Sequence, residues 1–356
     1  MTARLAAALC MAALLAACTT PQPATGIIPD DAPAVIARPA LYDLSDVASQ
    51  TSADVPQVWV LEKNGQTLSL FGTMHATPAG FRWLSPAARR AISDADLVLT
   101  EVGTTDAAQY NPRESEAEAL LPLVMREDGL DTRDMVAVPG SPARLELETA
   151  LDLAGITAVG AARSRPWALC LDMQRGERPD AVRRLNAEAR ELRLAAAKAL
   201  GPIDPDSPDA RIERFRLSQG LAHQQLETFA TRTRIYATMS DEEAIQCIRA
   251  RARQMATGAD LKDLPARYAL AFSQWRSGDT EGARQTETAL SMAIAPAFAA
   301  RLYQAREVEW LAQIAGRCEA ARLNCLVAVG FAHLGGADGL LNSLERRGWT
   351  RAREGM

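Results

Sequence analysis

The chain has 356 residues, a net charge of −5 and 48% hydrophobic residues, enough for a core of ordinary size. Its basic residues are nearly all arginine at helical spacings, and no basic stripe is interleaved with aromatics, so nucleic acid is excluded as a partner. Beyond residue 17 no stretch is long and apolar enough to span a bilayer.

In chain order, the N-terminus comes first. Arg4 and the alanine/leucine run Leu5 to Ala17 have the form of a targeting signal, and the run ends Leu15-Ala16-Ala17-Cys18. That ending resembles a bacterial lipobox, with cleavage before Cys18 and lipid on its sulfur. The address expected is the cell envelope, at the outer membrane and facing the periplasm, because no Asp follows Cys18. Residues 18–55 are rich in Pro, Ala, Asp, Ser and Thr without a period, the composition of a tether. Residues 56–350 form the folded body.

Val58–Leu61 and Gln66–Phe71 read as strands joined through Asn64-Gly65, a strong hairpin signal. Ser85-Pro86 caps and opens a helix to about Ser93. Asp96–Thr100 is a third strand, reached by a crossover and therefore parallel to the second. From about 116 to 315 helical spacings dominate. The expected helices run from Ser141 to Gly155, Trp167 to Leu200, Asp209 to Gln225, Asp241 to Met255, Leu261 to Ser277, Thr280 to Met292 and Pro296 to Ala315. A short strand is allowed around Val136 and Thr157–Val159. Leu264, Tyr268, Phe272 and Trp275 give the insertion an apolar face, and Trp167 reads as a core anchor. Cys325–Val329 returns as a strand, followed by a helix to about Arg347 and an edge strand after Gly348-Trp349. The fold class expected is α/β: a mixed central sheet built from the N- and C-terminal parts, with a large α-helical insertion between them. Cys318 with Cys325, and Cys170 with Cys247, are the expected disulfides of an oxidising compartment.

Two stretches share one form. Leu68–Pro78 and Leu326–Gly336 are each a buried-strand pattern, then Gly, two residues and His. They carry His75 and His333, two of only three histidines; the third, His223, reads as an ordinary helix residue. In open α/β sheets ligands bind beyond the carboxyl ends of the strands, where His75, Glu101 and His333 all fall. Glycine three residues ahead of each histidine is expected to let the chain turn sharply over the sheet edge. Two imidazoles and a carboxylate suit a divalent metal with open positions, and equally suit general acid–base chemistry.

Leu-Phe-Gly-Thr-Met-His-Ala-Thr, then Leu-Val-Leu-Thr-Glu, then Val-Ala-Val-Gly-Phe-Ala-His-Leu-Gly-Gly resembles the TraB/GumN family, which is related to the Tiki metal-dependent proteases. The resemblance implies a hydrolase, acting on a peptide or small-molecule substrate, with His75, Glu101 and His333 around a divalent ion such as Mn, Co, Fe or Zn. It adds Glu227, from the family-like Leu226-Glu227-Thr228, as a further ligand. It also adds Arg306 as a substrate or carboxylate clamp, although Glu307 follows it where the family often has an amide. The alternatives are a lipoprotein that captures metal or haem without turnover, and a structural or regulatory envelope protein.

Overall fold

The computed structural model describes residues 56–101, 114–173, 177–204, 207–259, 261–292 and 295–352. The expected targeting signal, the expected lipid site Cys18 and the expected tether lie outside the described residues. No helix among the described residues is long and apolar enough to cross a membrane.

Strands β1 (Val58–Lys63) and β2 (Gln66–Thr73) form the expected hairpin. Asn64 and Gly65 both take positive φ, 52° and 77°, as a tight two-residue turn demands. Helix α1 (Pro86–Ser93) is capped by the Ser85 hydroxyl, which accepts from Ala88 N, and leads into β3 (Leu97–Thr100). β5 (Cys325–Gly330) inserts between β2 and β3 and is parallel to both, so β2 and β3 run parallel without touching. The last strand, β6 (Thr350–Arg351), pairs with β1 at the edge. Strand order is β4-β3-β5-β2-β1-β6.

β4 (Ala222–Gln225) corrects the sequence reading in two ways. The helix expected from Asp209 to Gln225 stops at Gln219, because Gly220 takes the left-handed conformation that ends it. The chain then pairs parallel to β3, so one edge strand comes from inside the insertion and His223 is a strand residue. The strand was hidden because its residues, Ala-His-Gln-Gln, have low β-propensity and sit on an edge.

The insertion differs from expectation in two other places. The stretch from Trp167 to Leu200 is broken into α6 (Pro166–Asp172), α7 (Pro179–Val182) and α8 (Ala187–Leu200), since Pro179 and the Asn186 cap each start a new helix. The short strand around Val136 and Thr157 is absent; these residues belong to α3 (Thr132–Val136) and to the cap of α5 (Ala158–Arg163). Side-chain caps from Asp131 and Thr157 override the β-branched composition there.

The other helices are α2 (Glu114–Val124), α4 (Pro142–Ala154), α9 (Pro208–Gln219), α10 (Phe229–Tyr236), α11 (Asp241–Thr257), α12 (Leu264–Ser277), α13 (Thr280–Met292), α14 (Pro296–Ile314) and α15 (Leu340–Arg346). Two cores hold the molecule. One lies on the sheet and includes Leu61, Leu70, Leu99, Val327 and Trp310; the other joins α4, α6 and α11 around Leu147, Leu169 and Ile248. Both expected cystines form, Cys170–Cys247 inside the second core and Cys318–Cys325 at the entry to β5. Trp167 is buried, and its indole N–H donates to Leu123 O at 2.9 Å, as an anchor at a helix start should. On α12, Trp275 is fully buried and donates to Gly72 O at 2.8 Å, which ties the insertion to the first Gly-x-x-His stretch.

The glycines of the two stretches serve a different purpose from the one expected. Neither Gly72 nor Gly330 has a positive φ. They provide room: a Cβ on Gly72 would stand 2.3 Å from Phe331 Cδ2, and one on Gly330 would stand 3.2 Å from Glu101 Oε2. The Gly72→Ala variant should therefore lose about 1–3 kcal/mol by overpacking. A urea midpoint shift reads the loss; an unchanged midpoint would mean that the Phe331 ring moves aside at no cost.

Candidate functional site

All four parallel strands end at one edge of the sheet, and each delivers one ionisable residue just beyond its end. His75 follows β2, Glu101 follows β3, Glu227 follows β4 and His333 follows β5. Backbone bonds extend the ladder past the strands and set the carboxylates side by side: Leu226 N donates to Thr100 O, Glu227 N to Glu101 O and Glu101 N to Ala328 O. His333 sits on a 3-10 turn (Phe331–His333) that folds it back over the edge.

Helix α14 supplies the partner. Tyr303, Arg306, Glu307 and Trp310 are spaced i, i+3, i+4 and i+7, so they share one face, and that face is turned to the strand ends. The Arg306 guanidinium joins the cluster. Its Nε and NH2 groups donate to the two Glu227 oxygens, NH2 also donates to Glu101 Oε1, and NH1 lies 3.0 Å from His333 Nε2. Glu101 Oε2 accepts from Gly330 N at 3.0 Å, so the glycine of the second motif also donates to the site. Glu307 Oε1 lies 3.0 Å from His333 Nδ1, and its two oxygens receive Arg284 from α13 at 2.5 and 3.1 Å. Aromatic rings close the cluster: Trp310 and Tyr303 stand 4.5 and 4.8 Å from the His333 ring, and Arg306 lies over Trp310.

Each charge state follows from this packing. Burial opposes ionisation of Glu101, but Arg306, then His75 and the Gly330 N–H, outweigh it and hold its carboxyl well below the usual range. Burial also works against the charge on Arg306, and Glu101 and Glu227 more than compensate, so it stays charged. For His333 burial and then Arg306 push the pKa down, against the pull of Glu307, leaving the imidazole neutral. Its tautomer is fixed as well. Nδ1 must donate to the Glu307 carboxylate, and Nε2 must accept from Arg306.

His75 is placed differently. It stays at the exposed rim, with Nδ1 3.3 Å from Asp209 Oδ2 at the start of α9. The Asp209 carboxylate in this ion pair, and to a lesser degree the charge of Glu101, outweigh the opposing effect of burial and raise the His75 pKa to about 9. The structure thus brings Glu101, Glu227, Arg306 and His333 into direct contact, while His75 reaches Glu101 only through its field.

Several functional candidates were missed in the sequence. Glu307, a departure from the family pattern, is the partner that orients His333. Arg284, Tyr303, Trp310 and Asp209 were also missed; the i, i+3, i+4, i+7 spacing on α14 was the available signal for two of them. His223, set aside as a helix residue, lies in β4, with Nε2 2.8 Å from Oγ1 of Thr100, the last residue of β3 before Glu101, and 3.5 Å from Glu213 in α9.

The resemblance implies a divalent metal. Among the described residues no group of three or more His, Cys, Asp or Glu side chains is arranged to hold one. The donor atoms it would use, Glu101 Oε1, both Glu227 oxygens and His333 Nε2, are engaged by Arg306. In this arrangement the residues do not fit a metal ion.

The fold and site define an α/β protein with a buried ion cluster at the carboxyl edge of its sheet, covered by a helical insertion. The model of the TraB/PrgY/gumN family matches residues 57–353, and the chain belongs to that family. No curated protein and no solved structure matches it.

Two outcomes are expected. Arg306→Ala leaves the buried carboxylates facing each other without their cation, so stability should fall by about 3–5 kcal/mol in denaturant titrations; a loss within ~0.5 kcal/mol would mean that solvent already screens the cluster. In an NMR titration His75 should remain protonated at pH 7 with a pKa near 9, moving back toward 6.5 in Asp209→Asn. Since the folded pKa is the higher one, the stability this pair contributes is complete below about 6.5 and is lost as pH rises through about 9.

Proposed function

We propose that the chain is a hydrolase of the bacterial envelope, held to the outer membrane by lipid on Cys18 and acting on peptide bonds in the periplasm. The observation that carries the reading is the convergence of His75, Glu101, Glu227 and His333 from the ends of four parallel strands, the edge at which open α/β sheets place ligands. Two buried cystines support an oxidising compartment, and family membership supports a common ancestral site.

The roles follow from the unequal environments of the two reacting groups. His75 is protonated at neutral pH, reaches solvent and is oriented by Asp209, which suits a general acid that donates to the leaving nitrogen. Glu101 is ionised at the same pH, and as an acceptor held in place by Arg306 and the Gly330 N–H it binds and orients the attacking water. Arg306 fixes Glu101 and Glu227, and His333 and Glu307 fix Arg306 from the other side. The half-buried ring of Tyr268 from α12, whose hydroxyl donates to Ala76 O next to His75, forms part of the substrate wall.

A peptide library incubated with the purified body and read by mass spectrometry tests this. Cleavage by the wild type should fall about 100-fold or more in His75→Ala and in Glu101→Gln. Equal turnover in both variants would remove these residues from the mechanism, and no cleavage by the wild type would favour a lipoprotein without peptidase activity.

A further inference from the structure

We propose that Arg306 is the resident cation of this site and keeps a divalent ion out of it. The proposal rests on the reading of the cluster as the working centre, and it is tested by ion content rather than turnover.

The donor set around Arg306 has the composition of a metal site. Two carboxylates and an imidazole nitrogen converge on one planar cation from three strand ends. The imidazole is in the tautomer that a metal ligand requires, because Glu307 holds Nδ1–H and leaves the Nε2 lone pair pointing inward. What fills the centre is a guanidinium. Arg306 is itself 8% exposed, over the ring of Trp310, on a helix packed against the cluster. Its planar fork satisfies Glu227 bidentately and reaches Glu101 and His333 with the same group, which a lysine point charge could not do.

Charge decides whether both cations can be present. Glu101 and Glu227 bring two negative charges to the centre, and Arg306 cancels one of them. A divalent ion beside Arg306 would place two cations a few ångströms apart in a buried, weakly screened space, and it would compete for the same lone pairs. With Arg306 removed, the two carboxylates and His333 Nε2 balance a divalent ion and leave open positions, as hydrolytic metal sites do. Arginine and metal are therefore mutually exclusive here. The chain keeps the charge pattern of a metal centre with an arginine in place of the ion.

The test uses the folded body, stripped with chelator and titrated with Mn2+, Co2+ or Zn2+ by calorimetry, with metal content measured after dialysis. Wild type should retain no stoichiometric ion at the cluster. Arg306→Met should bind one equivalent about 100-fold more tightly than wild type, with the visible absorption of a Co2+ centre and a Tm raised by the ion. His333→Ala in the same background should abolish that binding. If wild type binds one equivalent that His333→Ala or Glu227→Gln removes, the proposal is overturned, and it is equally overturned if folded Arg306→Met binds none. Should Arg306→Met fail to fold even with metal, Arg306→Gln, which removes the charge and keeps Glu101, Glu227 and His333 intact, replaces it, with the same outcomes required.

Discussion

The meeting of one guanidinium with two carboxylates and an imidazole is the contact on which the rest of this molecule depends. Glu101, Glu227 and His333 lie on chain segments far apart in sequence, and Arg306 is the group that all of them touch. A charge taken out of water must be balanced and hydrogen-bonded, or the fold loses several kcal/mol. That requirement explains why Gly330, beside Glu101 and His333, has no side chain, and why α14 presents Tyr303, Arg306, Glu307 and Trp310 on one face.

The insertion is part of the same construction. It sends β4 back to the sheet, which places Glu227 beside Glu101, and it sends α14 across the strand ends. Its own core, closed by Cys170–Cys247, takes in Phe298 at the start of α14. A helical segment of this size thus acts both as a cover and as the source of half of the cluster. The division of charge follows from depth and neighbours: burial and Arg306 keep the His333 imidazole neutral, while Asp209 holds the proton on His75 at the rim.

Much of this was legible in the sequence where local chemistry is strong. Asn64-Gly65 marks the hairpin, Ser85-Pro86 marks a helix start, and the apolar runs before Gly72, Glu101 and Gly330 mark buried parallel strands. His333, Glu101, Glu227 and Arg306 stood out by motif, and they meet. β4 was not legible, because Ala-His-Gln-Gln has no apolar alternation and is held by tertiary contacts: its pairing with β3, and Arg317, which donates to Gln225 O. The breaks between Trp167 and Leu200 were lost to a continuous run of helix formers, although Pro179 and Asn186 mark them. Arg306 was read from the resemblance as a substrate or carboxylate clamp, and it does clamp Glu101 and Glu227; its burial at the centre of the cluster follows only from the tertiary position of α14.

With only three histidines in the chain, the protonation state of the central imidazole can be read directly. The measurement is a long-range 15N–1H correlation spectrum of histidine-labelled protein between pH 5 and pH 8. An arginine-centred cluster requires His333 to be neutral at pH 7 and to titrate below the ordinary histidine value, with its proton on Nδ1 and a bare Nε2 accepting from Arg306. An imidazolium at pH 7, or a proton on Nε2, would leave Arg306 without an acceptor there and would contradict the account.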